Sequence, residues 1–306
     1  MTVLEPSACL TAKNIRTVRR IKDLHKSIAT WRSAGDTIAL VPTMGALHDG
    51  HLALVKLARK KASRVVVSIF VNPTQFAAHE DLSRYPRDET GDLAKLKAAH
   101  ADLVWAPSVD EMYPDGFASR IEPQGSALGL EGDIRPEHFG GVATVCAKLF
   151  NQVTPDVAVF GEKDYQQLCV IRQLVRDLDL NLKIIGLPTV REKDGLARST
   201  RNRYLSATER SVAAALYREI TNVAEEARLL SGSRKLSGSP AAYLEALCRE
   251  ASGRLRATGF KKVDYIAVRD AGTLAPVTAF TPNIKLRVLA AAWLGTTRLI
   301  DNVSVM

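Results

Sequence analysis

Two histidines stand three residues apart in the segment VPTMGALHDGH, residues 41–51. The segment follows a short apolar run and precedes the helical pattern HLALVKLARKKA, so we predict that it joins a strand to a helix. The N-terminus of a helix offers unpaired N–H groups and a partial positive charge, which favour phosphate. His48 and His51 can lie on one helical face and contact the same anion, and Gly45 and Gly50 allow close backbone approach. The pattern favours a phosphate site over an ordinary turn with two surface histidines.

Two segments further along the chain carry basic residues that are also candidates for phosphate contact. Lys163 lies in GEKD, directly after the strand-like run VAVF, and the loop RSTR carries Arg198 and Arg201. A lone surface lysine and a solvated basic turn are the alternative interpretations of these segments. The sequence contains neither GxxxxGK(S/T) nor GxGxxG, so the glycine-rich loops of P-loop proteins and of dinucleotide-binding Rossmann domains are excluded.

The residues around these segments alternate between two periodicities. Short apolar runs rich in β-branched residues occur at residues 37–43, 64–71, 102–107, 157–161 and 182–187. Such runs suit the strands of a parallel sheet that is covered on both faces. Amphipathic helical patterns fall between them, at residues 21–31, 142–153 and 168–178. The alternation predicts a doubly wound, Rossmann-like α/β domain, in which ligands bind beyond the carboxyl ends of the strands.

The pattern changes near Pro188. After a loop, the sequence predicts two helices and then two strands, at residues 206–230, 241–256, 262–268 and 283–293. A polar linker, SGSRKLSGSP, separates the two helices. A chain of 306 residues suggests about two domains. We therefore predict a Rossmann-like domain at 1–188 and a smaller α+β lid domain at 189–306.

The composition is that of a globular protein, because hydrophobic residues make up 46% and charged residues 25% of the chain. The longest purely apolar stretch near the C-terminus, residues 288–294, is far shorter than the ~20 residues of a membrane-spanning helix. The N-terminus lacks the pattern of a secretory signal. The four cysteines, Cys9, Cys146, Cys169 and Cys248, form no CxxC pair. This spacing argues against zinc or a disulfide framework and for a reducing compartment, so we predict a cytoplasmic protein.

The net charge of +9 favours anionic partners such as nucleic acid, acidic membranes, phosphates or carboxylates, without choosing among them. Two basic runs, at residues 16–22 and 59–64, fall on helical patterns, where a solvated helix face is the ordinary interpretation. An aromatic content of 6% offers few stacking platforms for single-stranded nucleic acid. These observations favour neither nucleic acid nor a membrane as a partner, and they leave small anionic substrates open.

The HxGH pattern after the strand at 37–43 resembles the HIGH-type signature of the nucleotidylyltransferase superfamily, which is related to class I aminoacyl-tRNA synthetases. The longer string PTMGALHDGH resembles one family within it, the pantoate–β-alanine ligases, or pantothenate synthetases. Four further segments resemble that family in the same order: FVNPTQF, RPEHFGGVATVCAKLFNQVTPDVAVFGEKDYQQL, DGLARSTRNRYLS and AAWLGTTRLIDN, at residues 70–76, 135–168, 194–206 and 291–302. The resemblance covers nearly the whole chain.

The resemblance implies a carbon–nitrogen ligase that condenses (R)-pantoate with β-alanine to pantothenate, consuming ATP and releasing AMP and pyrophosphate. The pantoate carboxylate attacks the α-phosphate of ATP to give pantoyl adenylate, and the β-alanine amine then displaces AMP. Because one anion attacks another, the site needs preorganised donors and cations more than a nucleophile. The resemblance assigns this work to His48, His51, Lys163, Ser199 and Arg201. It makes His51 the proton donor.

The resemblance also implies which residues bind each substrate, with RSTR as the counterpart of the KMSK loop and Asp164 on the ribose. The residues expected at ATP are Met44, Gly45, Ala46, Leu47, His48, Asp49, Gly50, His51, Gly161, Glu162, Lys163, Asp164, Val190, Arg198, Ser199, Thr200 and Arg201. Those expected at pantoate or β-alanine are Asn72, Gln75, Arg135, His138 and Gln167. Chemistry on ATP requires Mg²⁺, for which Asp92 is the candidate ligand. The alternative for Asp92 is a residue of the first helical turn without a metal role.

The sequence departs from the usual family pattern RPGHFRGV at Glu137 and Gly140, and Thr200 replaces the second serine of the usual SSRN. Arg198 stands where an apolar residue is common. None of these changes removes a group that the resemblance makes catalytic. At position 200, threonine keeps the hydroxyl of the usual serine. The resemblance further implies a homodimer.

Two other functions remain open at this point. An adenylyltransferase of the same superfamily would transfer AMP to a phosphorylated acceptor, and it would not need the amide pairs Asn72/Gln75 and Gln166/Gln167. Its product would retain AMP, whereas the ligase releases AMP. A basic RNA-binding module with a synthetase-like fold would bind nucleic acid with a steep dependence on salt and would not need HxGH.

Overall fold

A six-stranded parallel sheet forms the first part of the chain. The computed structural model describes residues 15–77, 80–232, 239–281 and 284–305. The strands of this sheet are β1 (Arg16–Val18), β2 (Ile38–Thr43), β3 (Arg64–Ile69), β4 (Leu103–Trp105), β5 (Val157–Gly161) and β6 (Lys183–Leu187). Their spatial order is β1-β4-β3-β2-β5-β6, and every paired strand is parallel to its neighbour. The predicted α/β architecture is confirmed, and β1 is a further strand that the sequence patterns did not reveal.

The order of this sheet reverses between β2 and β5. From β2 the sheet extends through β3 and β4 on one side, whereas β5 and β6 extend it on the other side. In such sheets a ligand binds in the crevice outside the carboxyl ends of the strands at the reversal. Two of the three candidate phosphate segments lie there, because HDGH follows β2 and GEKD stands at the end of β5.

Helices cover both faces of the parallel sheet. The helices of this part are α1 (Ile21–Ser33), α2 (Asp49–Arg59), α3 (Glu89–Ala98), α4 (Val109–Met112), α5 (Glu131–Ile134), α6 (His138–Val153) and α7 (Tyr165–Asp177). One core joins α1, α6 and α7 to the side chains of Ile38 and Leu40 in β2. A second core joins α2 and α3 to Ala39 and Val41 on the opposite face of the same strand. The near-continuous apolar sequence of β2 follows from this burial on two faces.

In the second part of the chain, the described residues form a smaller antiparallel sheet and three α-helices. The strands are β7 (Lys262–Asp270), β8 (Leu286–Leu294) and β9 (Thr297–Val305), in the order β7-β8-β9. The helices are α8 (Ala207–Ala213), α9 (Ala215–Gly232) and α10 (Pro240–Ala257), and they pack with the sheet in a core of their own. The predicted α+β character is confirmed. The division between residues 188 and 189 stays a prediction.

The structure departs from the sequence predictions in this second part. The helix predicted at 206–230 is two helices that meet at Ala214, and the apolar periodicity runs on through the break without marking it. Strand β9 was not predicted as a strand, because its buried residues include the polar Asp301 and Asn302. A turn containing Gly295, with φ +57°, joins β8 to β9 and lets the chain reverse within two residues.

The basic runs also differ from their predicted helical setting. Arg16 lies in β1 and Arg64 in β3, so neither run is a continuous helix face. Among the residues with described coordinates, no helix is long and apolar enough to cross a membrane. Cys9, most of the linker at 231–240 and the start of the strand predicted at 283–293 lie outside the described residues.

Candidate active site

A cavity of about 520 Å³ lies at the carboxyl ends of β2 and β5, and residues from the loop before α8 and from β8 and β9 also line it. The predicted site residues in its lining are Met44, His48, Gly50, His51, Asn72, Gln75, Arg135, His138, Gly161, Lys163, Asp164, Gln167, Val190, Arg198, Ser199, Thr200 and Arg201. The other predicted residues at ATP lie next to this lining, in the segment from β2 to the start of α2 and in the turn after β5. They are Gly45, Ala46, Leu47, Asp49 and Glu162. The fold therefore gathers chain segments that are far apart in sequence around one space.

The two histidines cap the helix that follows β2. His48 is the N-cap of α2, and its Nδ1 accepts a hydrogen bond from the Gly50 N–H at 3.1 Å. His51 stands three residues later, and its Nδ1 accepts one from the His48 N–H at 3.3 Å. This reciprocal pair is a capping box built from imidazoles, with ring centroids 4.1 Å apart. A Cβ at position 50 would lie 2.8 Å from the His48 ring, so glycine leaves the room that this ring needs.

These hydrogen bonds decide which ring nitrogens carry protons. Burial, with the charge of Lys163 as a smaller cause, lowers the pKa of His48 to about 4 and that of His51 to about 3. Both rings are therefore neutral at pH 7. A neutral imidazole donates from one nitrogen and accepts at the other, so an accepting Nδ1 leaves the proton on Nε2. Each ring can donate an Nε2–H hydrogen bond to an anion in the cavity that it lines.

A buried carboxylate holds the turn that precedes α2. Gly45 and Ala46 have φ of +81° and +50°, so the turn is left-handed at both residues. Asp92, in the first turn of α3, is buried and accepts hydrogen bonds from the Ala46 and Leu47 N–H groups at 2.7 Å each. Lys95 Nζ donates to the Leu47 carbonyl at 2.9 Å. Both Asp92 oxygens therefore accept hydrogen bonds from the backbone, which favours the alternative without a metal role. The Mg²⁺ role stays a prediction.

Replacing Asp92 by Asn tests this role. The oxygen of an amide can accept from only one of the two N–H groups, and its NH₂ faces the other. We expect the free energy of unfolding to fall by roughly 2 kcal/mol and the Mg²⁺ concentration for half-maximal activity to stay unchanged. Urea unfolding and Mg²⁺ titration measure the two quantities, with the exposed Asp23→Asn as the control. A shifted Mg²⁺ dependence at unchanged stability would identify Asp92 as a metal ligand after all.

The basic loop RSTR contacts the turn that carries HDGH. Arg198 Nη1 lies 2.9 Å from Asp49 Oδ2. Thr200 Oγ1 donates a hydrogen bond to the Ala46 carbonyl at 3.3 Å. Ser199 begins the 3-10 turn that follows, where its side chain accepts a hydrogen bond from the backbone. The loop is therefore tied to the N-terminal region of α2, beside the two histidines.

Lys163 reaches the same space from the turn after β5. Residues Glu162–Asp164 form a single 3-10 turn between β5 and α7. Lys163 Nζ lies 3.7 Å from Asp164 Oδ1, and both side chains line the cavity. Because Lys163 lines the same cavity as His48 and His51, its ammonium group can act on the same anion as their Nε2–H groups.

Arg201 has an acidic partner that the sequence patterns did not reveal. Its Nε and Nη2 lie 3.1 and 2.9 Å from the two carboxylate oxygens of Asp81. Burial alone would raise the pKa of Asp81, but the Arg201 guanidinium outweighs burial and holds that pKa below its ordinary value. The neighbouring Glu80 pairs in the same bidentate way with Arg135. Two successive carboxylates therefore contact two of the three arginines that were predicted to face substrates.

Gln75 is held from one side by Asn72. The buried Asn72 donates from Nδ2 to Gln75 Oε1 at 3.1 Å and to the Gly141 carbonyl at 3.2 Å. Its Oδ1 accepts hydrogen bonds from Thr74 and from the Tyr113 hydroxyl. Asn72 was predicted to bind the acid substrate. These contacts orient the carboxamide of Gln75. Both amides line the cavity, so the substrate role of Asn72 stays a prediction.

Arg135 and His138 hold the backbone of the same residue. Arg135 Nη2 donates to the Gln75 carbonyl at 3.1 Å, and His138 Nδ1 lies 3.0 Å from that oxygen. Burial lowers the pKa of His138 to about 4, so the ring is neutral at pH 7 and its Nδ1 carries the proton that it donates. Their contacts position Gln75. Both residues also line the cavity, so their contact with a substrate stays a prediction.

The two adjacent glutamines of α7 have different surroundings. The buried Gln166 donates from Nε2 to backbone carbonyls of the segment 126–129, and its Oε1 accepts from the Glu131 N–H. It therefore anchors a loop. Gln167 lines the cavity, as predicted for a substrate-facing residue.

Strand β9 contributes two cavity residues that received no role from the sequence. Asp301 and Asn302 are buried and line the cavity. Their signal in the sequence is a pair of adjacent polar residues between the apolar residues Leu299, Ile300 and Val303. Within the described ranges, no group of three or more His, Cys, Asp or Glu side chains could hold a metal ion.

Comparison with known proteins connects this site to a family. Residues 16–304 match the family model described as pantoate-beta-alanine ligase. A pantothenate synthetase from Bradyrhizobium sp. strain BTAi1 is 52% identical over 291 residues, covering 95% of this chain and 98% of that protein. One from Mesorhizobium japonicum is 53% identical over 288 residues, covering 94% and 97%.

Solved structures agree with the sequence relatives. A pantothenate synthetase from Thermus thermophilus superimposes with a TM-score of 0.82 at 45% identity, covering 95% of this chain and 99% of that one. A pantoate-beta-alanine ligase from Francisella tularensis, complexed with beta-gamma ATP and β-alanine, gives 0.76 at 35% identity, covering 95% and 98%. With the match extending over nearly its full length, the chain belongs to the pantoate–β-alanine ligase family.

Proposed function

We propose that this chain condenses (R)-pantoate with β-alanine to pantothenate through pantoyl adenylate, converting ATP to AMP and pyrophosphate. The observation that carries the proposal is the shared cavity, in which His48, His51 and Lys163 face the same space as Gln75 and the RSTR loop. The complex of the Francisella tularensis relative supports ATP and β-alanine as two of the three substrates.

In the first step, the pantoate carboxylate attacks the α-phosphate of ATP and the bond to pyrophosphate breaks. Negative charge grows on the α-phosphate and on the departing pyrophosphate. The neutral His48 and His51 donate Nε2–H hydrogen bonds, and Lys163 supplies positive charge that needs no reorganisation during the reaction. Because the pKa of His51 is about 3, its proton-donor role becomes hydrogen-bond donation by a neutral ring.

The RSTR loop acts on the leaving group in this proposal. Arg198 and Arg201 bring two guanidinium groups to the cavity, and Ser199 adds a hydroxyl. Pyrophosphate competes with Asp49 and Asp81 for these arginines, since each already holds a carboxylate. Guanidinium groups suit this exchange because their fork of N–H donors matches phosphate and carboxylate alike.

In the second step, the amine of β-alanine attacks the acyl carbon of pantoyl adenylate and AMP leaves. The adenylate would hydrolyse if water reached it, so the site must exclude water between the two steps. Residues of β8 and β9 line the cavity opposite the parallel sheet's crevice, which supports a lid role for the second part of the chain.

Mg²⁺ enters this proposal with ATP. The ion prefers oxygen ligands and is commonly held by substrate phosphates with one or two carboxylates. The described residues provide no cluster of three acidic or histidine ligands, so they fit an ion carried by the phosphates rather than a preformed protein site. Its chemistry would be neutralisation of phosphate charge. The homodimer and the cytoplasmic location are further proposals, which are supported only by the family resemblance and by the cysteine spacing.

Release of AMP from ATP tests the proposed function. The assay contains ATP with pantoate plus β-alanine, and two further arms omit one of these substrates. We expect multiple-turnover AMP release only in the complete mixture, together with pantothenate. Retention of AMP in the product would indicate an adenylyltransferase, and AMP release that ignores pantoate would contradict the proposal.

Gln75→Ala is expected to impair the use of pantoate. The variant removes the carboxamide that Asn72 orients, and with it a hydrogen bond to the acid substrate. We expect the KM for pantoate to rise about 10- to 100-fold, while the KM for ATP stays near the wild-type value. Steady-state kinetics with each substrate varied in turn measure both, with the exposed Gln124→Ala as the matched control. An unaltered KM for pantoate would remove Gln75 from the binding site.

A further inference from the structure

The dipeptide Asp301–Asn302 of β9 lies between the two segments that carry the phosphate-facing side chains. Both residues are almost fully buried, with 4% and 2% of their surface exposed. Buried polar side chains are stabilising only when their hydrogen-bonding groups are satisfied. The partners of these two side chains therefore show what the dipeptide supports.

Asn302 binds the turn that carries Lys163. Its Nδ2 donates to the Glu162 carbonyl at 2.9 Å and to the Lys163 carbonyl at 2.8 Å. Its Oδ1 accepts a hydrogen bond from Arg287 Nε at 2.7 Å. The carboxamide therefore uses both of its polar ends, and it fixes the backbone of Lys163 directly.

Arg287 strengthens the same turn. Its Nη2 lies 3.1 Å from Glu162 Oε2, and its guanidinium stacks on the Tyr165 ring at 3.8 Å. Arg287 belongs to β8, the neighbour of β9 in the antiparallel sheet. Side chains from β8 and β9 thus both bind the turn between β5 and α7.

Asp301 binds the loop that ends in RSTR. Its carboxylate accepts hydrogen bonds from Arg191 Nη1 at 2.6 Å and from Nη2 at 2.9 Å. Arg191 forms an antiparallel bridge with Ala197, and the Arg198 N–H donates to the Val190 carbonyl. The guanidinium also stacks on the Tyr217 ring at 3.9 Å. Residues 190–198 thus form a short hairpin, and RSTR continues from its second arm. Asp301 therefore holds the base of this hairpin in place.

We propose that Asp301 and Asn302 are positioning residues for adenylate formation, Asn302 acting through Lys163 and Asp301 acting through the RSTR loop. This inference rests on the proposed function. Its physical basis is that catalysis by fixed charges depends on where the charges are held, and a displacement of about 1 Å can cost roughly 10²-fold in rate. One strand serves both segments, so their relative positions depend on it.

Double-mutant cycles on single-turnover adenylate formation test the proposal. In Asn302→Asp, the carboxylate still accepts from Arg287 but repels the two carbonyls of the Lys163 turn. We expect the rate to fall about 10²-fold in the wild-type background and by less than about threefold in Lys163→Ala. In Arg201→Ala, the full effect of Asn302→Asp should persist. Asp301→Asn should show the reverse pattern, losing its effect in Arg201→Ala and keeping it in Lys163→Ala.

Further arms keep a folding defect apart from the proposal. Asn302→Ser removes the same contacts without adding a charge, and the exposed Asn151→Asp adds the same charge elsewhere. Thermal unfolding confirms that each variant is folded, and the reaction of supplied pantoyl adenylate with β-alanine should stay near the wild-type rate. Equal losses from Asn302→Asp in both backgrounds would overturn the proposal. A wild-type chain that forms no adenylate from pantoate and ATP would instead overturn the proposed function.

Discussion

Lys163→Ala is expected to slow adenylate formation by about 10³-fold while leaving the fold intact. The ammonium group lines the cavity with both histidines and is the cation that the turn after β5 brings there. Since the attacking group and the phosphate are both anions, the loss should fall on the chemical step. Mixing enzyme, pantoate and ATP in a single turnover and quenching for pantoyl adenylate measures that step.

The control for this variant removes a lysine of equal charge from an exposed position. Lys56 lies on α2 at the protein surface, so Lys56→Ala should form adenylate at the wild-type rate. Lys163→Ala should unfold at nearly the wild-type temperature, because its backbone contacts to Asn302 do not involve the side chain. An unchanged rate of adenylate formation in Lys163→Ala would refute its catalytic role.

His51→Ala is expected to lower the rate of adenylate formation by about 10²- to 10³-fold and also to weaken the start of α2. The imidazole has two functions, because Nδ1 accepts from the His48 N–H and Nε2 is free to donate to phosphate. Glutamine at the third position of a helix can accept from the N-cap N–H and keeps an NH₂ group as well. We therefore expect His51→Gln to restore stability fully and the rate in part.

The pH profile separates hydrogen-bond donation from acid catalysis. The pKa of His51 is lowered to about 3, below its unfolded value of about 6.5. The neutral, donating form therefore persists from pH 8 down to about pH 4, and kcat/KM should show no histidine limb near pH 6.5. His25→Gln, on the exposed face of α1, is the control. A fall in kcat/KM as the pH rises through 6.5, abolished in His51→Gln, would show that an imidazolium is required.

The part of the site that sequence predicts best is the part built from local motifs. HDGH and GEKD each follow an apolar strand, so their places at the carboxyl edge of the sheet follow from the alternation of strand and helix patterns. The strands that precede these segments, β2 and β5, pair with each other, and this pairing brings His51 and Lys163 to one cavity. These predictions needed no knowledge of distant contacts, which is why the structure agrees with them.

The supporting residues could not be predicted in this way. Asp92 lies 46 residues after Ala46 in sequence, and its partner N–H groups carry no side-chain signal. Asp81 and Arg201 are 120 residues apart, and an acidic pair between motifs is typical of a solvated loop. Arg135 and His138 were predicted as substrate ligands, and the patterns gave no sign that both also contact the Gln75 carbonyl. Such roles depend on tertiary hydrogen bonds that residue spacing does not encode.

The central claim, that these residues converge on one ATP and make an acyl adenylate, is tested most directly by isotope exchange. Labelled pyrophosphate is incubated with the enzyme, ATP and pantoate, without β-alanine, and its incorporation into ATP is measured. Reversible adenylate formation predicts exchange that requires pantoate and that Lys163→Ala and His51→Ala strongly reduce. Exchange that is absent until β-alanine is added, or that proceeds equally without pantoate, would contradict the account.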